Sequence, residues 1–316
     1  MSFAGRTALV AAVCAGWASV AQANELTLRP DAPRPLYMQA EDAPEKSSAA
    51  ETPQPAAPTD PNTGALALTG GVDYTTAYFF RGYNQEDTGL ILQPWATVTA
   101  SLVSNDNLTL NAYVGIWNSF HEQKTLSGDT GPSAWYESDL YGGIDLVLGK
   151  FTVGTVYTFY TYPNGAFETI QEIGFKVAFD DTDTMKNAGL SFALKPYAAI
   201  YFETDDGNGS EDTYAEVGVA PSFALGESGV SLGVPISFGF SVDDFYLDDD
   251  GGNEPLGFAS IGLFASVPLP VPERYGAWTL TGGVQYLYLF ADSAQAVNDG
   301  GEDDEILGKV GISFAY

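Results

Sequence analysis

The chain has 316 residues, with 12 Lys+Arg against 41 Asp+Glu, a formal net charge of −29 and a single cysteine. Such acidity excludes nucleic acid and anionic substrates in general, and suits a surface that meets water and divalent cations. Cys14 falls in an N-terminal segment expected to be removed, which takes disulfides, thiol catalysis and cysteine-based metal sites away together.

Residues 1–23 read as a signal peptide. Arg6 gives a positive start, Ala8 to Val20 is a short apolar run, and Ala21-Gln22-Ala23 is a small-x-small cleavage site. No later apolar run reaches about 18 residues, so no helical membrane span is expected. Residues 24–63 carry eight prolines and almost no aromatics and cannot bury a core; a disordered, extended Pro/Ala-rich linker on the periplasmic side is expected.

From Gly64 onward the dominant period is two. Leu92, Pro94, Ala96, Val98 and Ala100 alternate with Gln93, Trp95, Thr97 and Thr99. Val230, Leu232, Val234, Ile236, Phe238 and Phe240 oppose Ser231, Gly233, Ser237, Gly239 and Ser241. Such segments number twelve: 65–82, 91–103, 108–118, 136–147, 151–161, 167–179, 189–202, 213–223, 230–241, 257–267, 277–290 and 305–316. Each is at or above the roughly 9 to 11 residues that a tilted strand needs to cross the hydrocarbon layer. The links alternate between mostly short ones and longer, polar ones, as in outer-membrane barrels with long loops outside. A transmembrane antiparallel up-and-down β-barrel over 64–316 is expected. The last strand sets Ile306, Val310, Ile312 and Phe314 on one face and ends at Tyr316. It resembles the closing strand by which outer-membrane barrels are recognised, so the barrel-assembly machinery is an expected partner beside the lipid itself.

The run Val72-Asp73-Tyr74-Thr75-Thr76-Ala77-Tyr78-Phe79-Phe80-Arg81-Gly82-Tyr83-Asn84-Gln85 resembles the opening of the bacterial Gcw_chp family of TorF-type outer-membrane porins. Tyr136-Glu137-Ser138-Asp139-Leu140-Tyr141 is similar to that family's E-x-D-L-Y segment. Tyr157 to Pro163, with the later Glu172-Ile173, is similar to its Y-x-Y-P and E-I segments. The resemblance covers residues 70 to 180 and implies an outer-membrane barrel of channel type, with no catalytic residues to carry over. The proline-rich preface and the acidic loops depart from the family pattern.

Period-two phasing points Asp73, Arg81, Glu137, Asp139, Asp145, Glu172, Lys176, Lys195, Glu216 and Lys309 into the lumen, along with Trp95, Tyr113, Trp117, Tyr141, Tyr160, Tyr197 and Tyr201. Mutual pairing that plugs the bore and a field across a water-filled passage both fit these charges. The long loops carry acidic clusters: Glu203, Asp205, Asp206, Glu211 and Asp212; Asp243, Asp244, Asp248, Asp249, Asp250 and Glu254; Asp299, Glu302, Asp303, Asp304 and Glu305. Their carboxylates suit Ca²⁺ or Mg²⁺ chemically. Asp205, Asp206, Asp248, Asp249, Asp250, Asp303 and Asp304 are the candidates for weak divalent binding, without a recognisable calcium loop, and no other cofactor is expected. His121 is the one histidine and reads as a solvent-exposed residue of an outer loop.

These features give three readings. The first is a monomeric passive channel for small polar solutes or cations. The second is a non-conducting surface barrel for adhesion or ion bridging, whose lumen would be blocked by Arg81, Lys176, Lys195 and the inward aromatics. The third, an outer-membrane hydrolase, would require His121 to meet a hydroxyl and an orienting polar group; no catalytic motif supports it.

Overall fold

A computed structural model describes residues 66–105, 108–126, 131–206, 211–226, 228–298 and 301–316. The expected signal peptide and the linker over 24–63 lie outside these residues, as does Asp299.

The wall begins with β1 (Leu66–Thr75). A short hairpin follows, β2 (Tyr78–Phe80) and β3 (Tyr83–Glu86), which is not part of the wall. The wall resumes with β4 (Ile91–Asn105), β5 (Leu108–His121), β6 (Trp135–Leu148), β7 (Phe151–Thr161) and β8 (Ile170–Phe179). A short helix α1 (Thr182–Asn187) leads to β9 (Tyr197–Asp205), β10 (Thr213–Val219), β11 (Ser222–Ala224), β12 (Ser231–Gly233), β13 (Ile236–Asp243) and β14 (Leu256–Leu269). Next come β15 (Ala277–Leu289), the short helix α2 (Asp292–Gln295) and β16 (Asp304–Ala315).

β1 closes the cylinder. Val72 lies opposite Pro94 of β4 on one side and Ile312 of β16 on the other, both antiparallel. The sheet holds fourteen segments, but two neighbouring wall strands are each broken by a proline. β10 and β11 flank Ala220-Pro221, and β12 and β13 flank Val234-Pro235. The register runs straight through the break, from Val219 opposite Ile236 to Ser222 opposite Gly233, and the Val234 N–H donates to the Pro221 carbonyl across it at 2.9 Å. The result is a closed barrel of twelve antiparallel strands.

Alternation sorts the side chains. Gln93, Trp95 and Thr97 are buried, while Val98, Val114, Ile116, Leu140, Ile144, Phe175, Val177, Ile261, Leu263, Val284 and Val310 stand exposed on the outside. In water so wide an apolar surface would drive aggregation. Around a closed barrel it is the face that meets acyl chains, because closing the sheet pairs the edges that an open one would leave bare. Fold and belt together define an outer-membrane β-barrel. Leu66 and Tyr316 share one rim with the tight links after β4 and β6, so this rim is periplasmic and the long loops lie outside.

Three expectations are corrected. The first strand, expected over 65–82, ends at Thr75, and the rest of that stretch turns into the lumen as the β2–β3 hairpin. Arg81 and Gly82 form its two-residue loop, both with positive φ (47° and 90°), the mirror-image turn that matches strand twist. The strand expected over 189–202 begins only at Tyr197. Asp181 takes up the backbone N–H groups of Leu194 and Lys195 at 3.1 and 2.9 Å, Lys195 has φ 49°, and Pro196 has no donor, so the chain there is a capped link. Lys195 therefore belongs to the periplasmic link and is not on a lumenal strand. Finally, β5 runs on to residue 121, in register with Ile91, and His121 points inward and is 1% exposed, not in an open loop.

Candidate functional site

The hairpin's tip carries a buried, two-pronged ion pair. Arg81 donates to both oxygens of Glu172 on β8, at 2.8 and 2.9 Å, with both side chains buried. Four rings surround its guanidinium: Tyr214 at 4.2 Å, Tyr201 at 4.7 Å, Phe80 at 4.8 Å and Phe245 at 5.2 Å from the ring centroids. Aromatic faces attract a cation, and a two-pronged carboxylate contact fixes its plane. Tyr160 donates a further hydrogen bond to Glu172 at 2.8 Å, and Tyr246 donates to the Arg81 carbonyl at 2.6 Å. A non-glycine residue at φ 47° is disfavoured by about 1–2 kcal/mol; these contacts hold it there. At Gly82 a side chain would add strain on top of close contact, since a Cβ would lie 3.3 Å from Phe258.

The outer half of the lumen is packed around this tip. Phe80, Tyr83, Trp117, Tyr136, Tyr160, Tyr214, Phe245 and Tyr246 are each at most 1% exposed. Tyr83 stacks on Tyr246, 5.6 Å and 10° apart, and its hydroxyl meets Ser293 of α2 at 2.6 Å. Gly257 makes room for the Tyr246 ring, for a Cβ there would lie 1.9 Å from it. The loop over 244–255, read from sequence as an acidic crown, thus turns Phe245-Tyr246 inward against the hairpin. Two aromatics amid five acidic residues were the available signal.

The lumenal charges are distributed among these contacts. Glu137 and Asp139, two apart on the inward face of β6, are fully buried, and Tyr78 donates to Glu137 at 3.0 Å. Glu216 accepts from Tyr197 at 2.7 Å and Tyr214 at 2.8 Å. Lys176 lies over the Tyr197 ring at 4.3 Å, and Lys309 pairs with Asp73 at 3.1 Å. Asp145 is partly buried on β6, and Gly154 of β7 lies between it and Lys176 of β8.

His121 joins hairpin, loop and wall. Its Nε2 lies 2.8 Å from Ser119 Oγ and its Nδ1 2.7 Å from Thr125 Oγ1; the Thr125 hydroxyl in turn donates to Glu86 on β3. Burial raises the Glu86 pKa, but hydrogen bonds from Thr125 and Thr88 outweigh it and hold the carboxyl below its usual range. An ionised Glu86 only accepts, so Thr125 must receive from His121 Nδ1–H, and Nε2 is left to accept from Ser119. His121 thus meets a hydroxyl and an orienting group. It is also sealed: Ser119 is 0% exposed and Tyr136 stacks on the imidazole, 4.6 Å away.

Below the hairpin the lumen opens into a cavity of about 420 Å³. Arg81 and Gly82 form its roof, and it reaches down to Ser222, Gly233 and Ser313 near the periplasmic rim.

Among the described residues the acidic loops make no ligand set. Asp248 accepts the backbone N–H groups of Asp250 and Gly252, Asp205 receives Gln171, and Asp303 receives Tyr288. Asp249 bonds through its own backbone to Asp292, Asp206 is buried, and Asp304 is the first residue of β16. Among the described residues, no three His, Cys, Asp or Glu side chains converge as metal ligands. Burial first, and then Asp244, Asp206 and Asp243, push Asp212 up to about 7.

No family model matches the chain, and no curated protein matches its sequence. Among solved structures it is similar to an outer membrane channel from Pseudomonas putida F1, at 11% identity and TM-score 0.46, covering 83% of this chain and 100% of that one. The NanC porin matches at 13% identity and TM-score 0.40, over 79% and 99%. The translocator domain of autotransporter NalP from Neisseria meningitidis matches at 14% and 0.35, over 81% and 90%. At TM-scores below 0.5, these likenesses say nothing about what this chain carries or binds.

Proposed function

We propose that the protein is a narrow, passive outer-membrane channel for small polar solutes, closed at rest by its own first loop. The observation that carries this reading is the pairing of a hollow inner half with a removable obstruction. The hairpin that fills the outer half is not hydrogen-bonded into the wall as a strand, and the cavity begins directly beneath its tip. An inward loop of this kind can move while the wall stays whole. The acidic outer loops would raise the local cation concentration at the mouth without binding any ion firmly. The resemblance of residues 70–180 to TorF-type porins agrees with this reading, and we take the barrel to act as a monomer, inserted through its closing strand ending in Phe314 and Tyr316.

Planar-bilayer recordings of the refolded chain test it. Wild type should give rare, small steps and Arg81→Ala frequent, larger ones; no steps from either protein would reject the channel in favour of a non-conducting surface barrel. A hydrolytic reading has the Ser119–His121–Thr125–Glu86 chain behind it. We assign that chain to holding the hairpin, because Ser119 is enclosed. Ester hydrolysis by wild type that is lost in Ser119→Ala would reverse this assignment.

A further inference from the structure

The cavity under the hairpin has a chemistry of its own. Four charged side chains reach it, Asp73, Arg81, Glu216 and Lys309, and their charges sum to zero. Each is already engaged: Asp73 with Lys309, Arg81 with Glu172, and Glu216 with two tyrosine hydroxyls, one of them on the ring beneath Lys176, so that Glu172 and Lys176 behind the lining keep the balance at zero. An ion entering here would lose water without meeting a free counter-charge. The acidic mouth and this electroneutral interior therefore favour different solutes, and the interior is where a solute must shed its hydration.

The walls divide by polarity. Ser237, Ser260, Ser266, Thr281 and Ser313 bring hydroxyls from β13 to β16. Four of them lie in neighbouring pairs, Ser237 to Ser260 at 2.9 Å and Ser266 to Thr281 at 3.1 Å. A hydroxyl that already bonds its neighbour keeps further acceptor capacity for a ligand. Trp95 reaches the same space from β4, with Phe258 and Phe264 adding apolar surface. The volume, about 420 Å³, falls in the roughly 300–1,000 Å³ range of small-molecule sites. A row of hydroxyls, a flat indole and no net charge suit a ligand with hydroxyls around its edge and C–H groups on its face.

We infer that this cavity is a binding site for an uncharged, hydroxyl-rich solute of monosaccharide size, with Trp95 as its platform and the serine–threonine wall as its polar side. The inference rests on the channel reading for how the solute arrives, and it names the solute class of that same passage.

The full chain, refolded in a zwitterionic detergent without a sugar headgroup, is titrated with glucose, glucuronate and glucosamine, followed by tryptophan fluorescence and calorimetry. Glucose should bind saturably, and both charged analogues about tenfold or more weaker, since a charge would be buried unpaired. Thr281→Val, which removes one hydroxyl from the wall, should weaken glucose about fivefold to tenfold, as the loss of one hydrogen bond does. Trp95→Phe should weaken glucose and abolish the fluorescence change, while Trp278→Phe, at the periplasmic end of β15, should leave both intact. Heat-modifiable mobility on a gel checks that each variant is folded. No saturable glucose binding, equal binding of the charged analogues, or an unchanged affinity in both Thr281→Val and Trp95→Phe would overturn the inference. Conductance steps from the same preparation judge the channel reading separately. Steps without glucose binding sink only the saccharide site, and binding without steps sinks only the channel.

Discussion

Above the level of Gly82, inward side chains of the wall meet the β2–β3 hairpin and the Phe245-Tyr246 turn, and the space is filled by rings and ion pairs. Below it the same alternation, on the same strands, leaves a cavity. The halves differ in what the loops add. The wall supplies tyrosines and carboxylates above, and many serines, threonines and glycines along β11 to β16 below, where none of the described loops enters. The alternation that makes a barrel therefore does not decide whether the barrel is open; that is set by where the outer loops go and how they are anchored.

The largest contrast should come from the anchor. Arg81→Ala leaves Glu172 without its cation, and Glu172→Ala strands Arg81; each should cost about 3–5 kcal/mol, because a buried charge loses its partner. Urea unfolding of the protein in lipid vesicles, with hydrogen exchange over 78–86, would show whether the loss is confined to the outer half. A similar loss from Ser266→Ala would dissolve the distinction between the halves.

A pair of glycines sharpens it. Gly257→Ala drives a methyl into the Tyr246 ring and should cost about 1–3 kcal/mol through overpacking. Gly233→Ala faces open space in the hollow half and should stay within about 0.5 kcal/mol of wild type. Equal unfolding midpoints for the two would mean that the outer half is not tightly packed around Tyr246.

The smallest effect concerns the outer acidic loops. Because the folded-state pKa of Asp212 lies at about 7, above the ordinary aspartate range, the folded protein holds a proton that the unfolded chain has released. The stability this contributes is fully present below the ordinary pKa of about 4 and is lost as pH rises through about 7. Hydrogen exchange at 203–206 and 211–213 should therefore slow on acidification from pH 8 to pH 5, after correction for the intrinsic rate, and Asp212→Asn should flatten that dependence. An identical slope in the variant would remove Asp212 as the cause.

Much of the wall is legible from period two alone. The rows of Leu, Ile, Val and Phe face outward, and Asp73, Glu137, Asp139, Glu172, Lys176 and Glu216 face inward, because each strand residue has only two sides to choose from. Arg81 illustrates the limit. Alternation points it inward, but a strand that continues and a strand that folds back into the lumen share one pattern, and only the turn at Arg81-Gly82 separates them. Lys195 sits in phase by spacing, yet Asp181 and Pro196 take that stretch out of the wall. His121 and Phe245-Tyr246 depend on pairings across the lumen with residues far away in sequence, which local spacing does not encode.

Thiol labelling tests the division of the lumen most directly. In a Cys14→Ser background, single cysteines at Ser266 and at Ser119 would be exposed to a small polar maleimide in the refolded barrel. Rapid modification at position 266 and strong protection at 119, relieved when Arg81→Ala is added, is the expected result. Labelling at comparable rates at the two positions, or protection at 119 that Arg81→Ala does not change, would contradict a hairpin-plugged outer half above a hollow inner one.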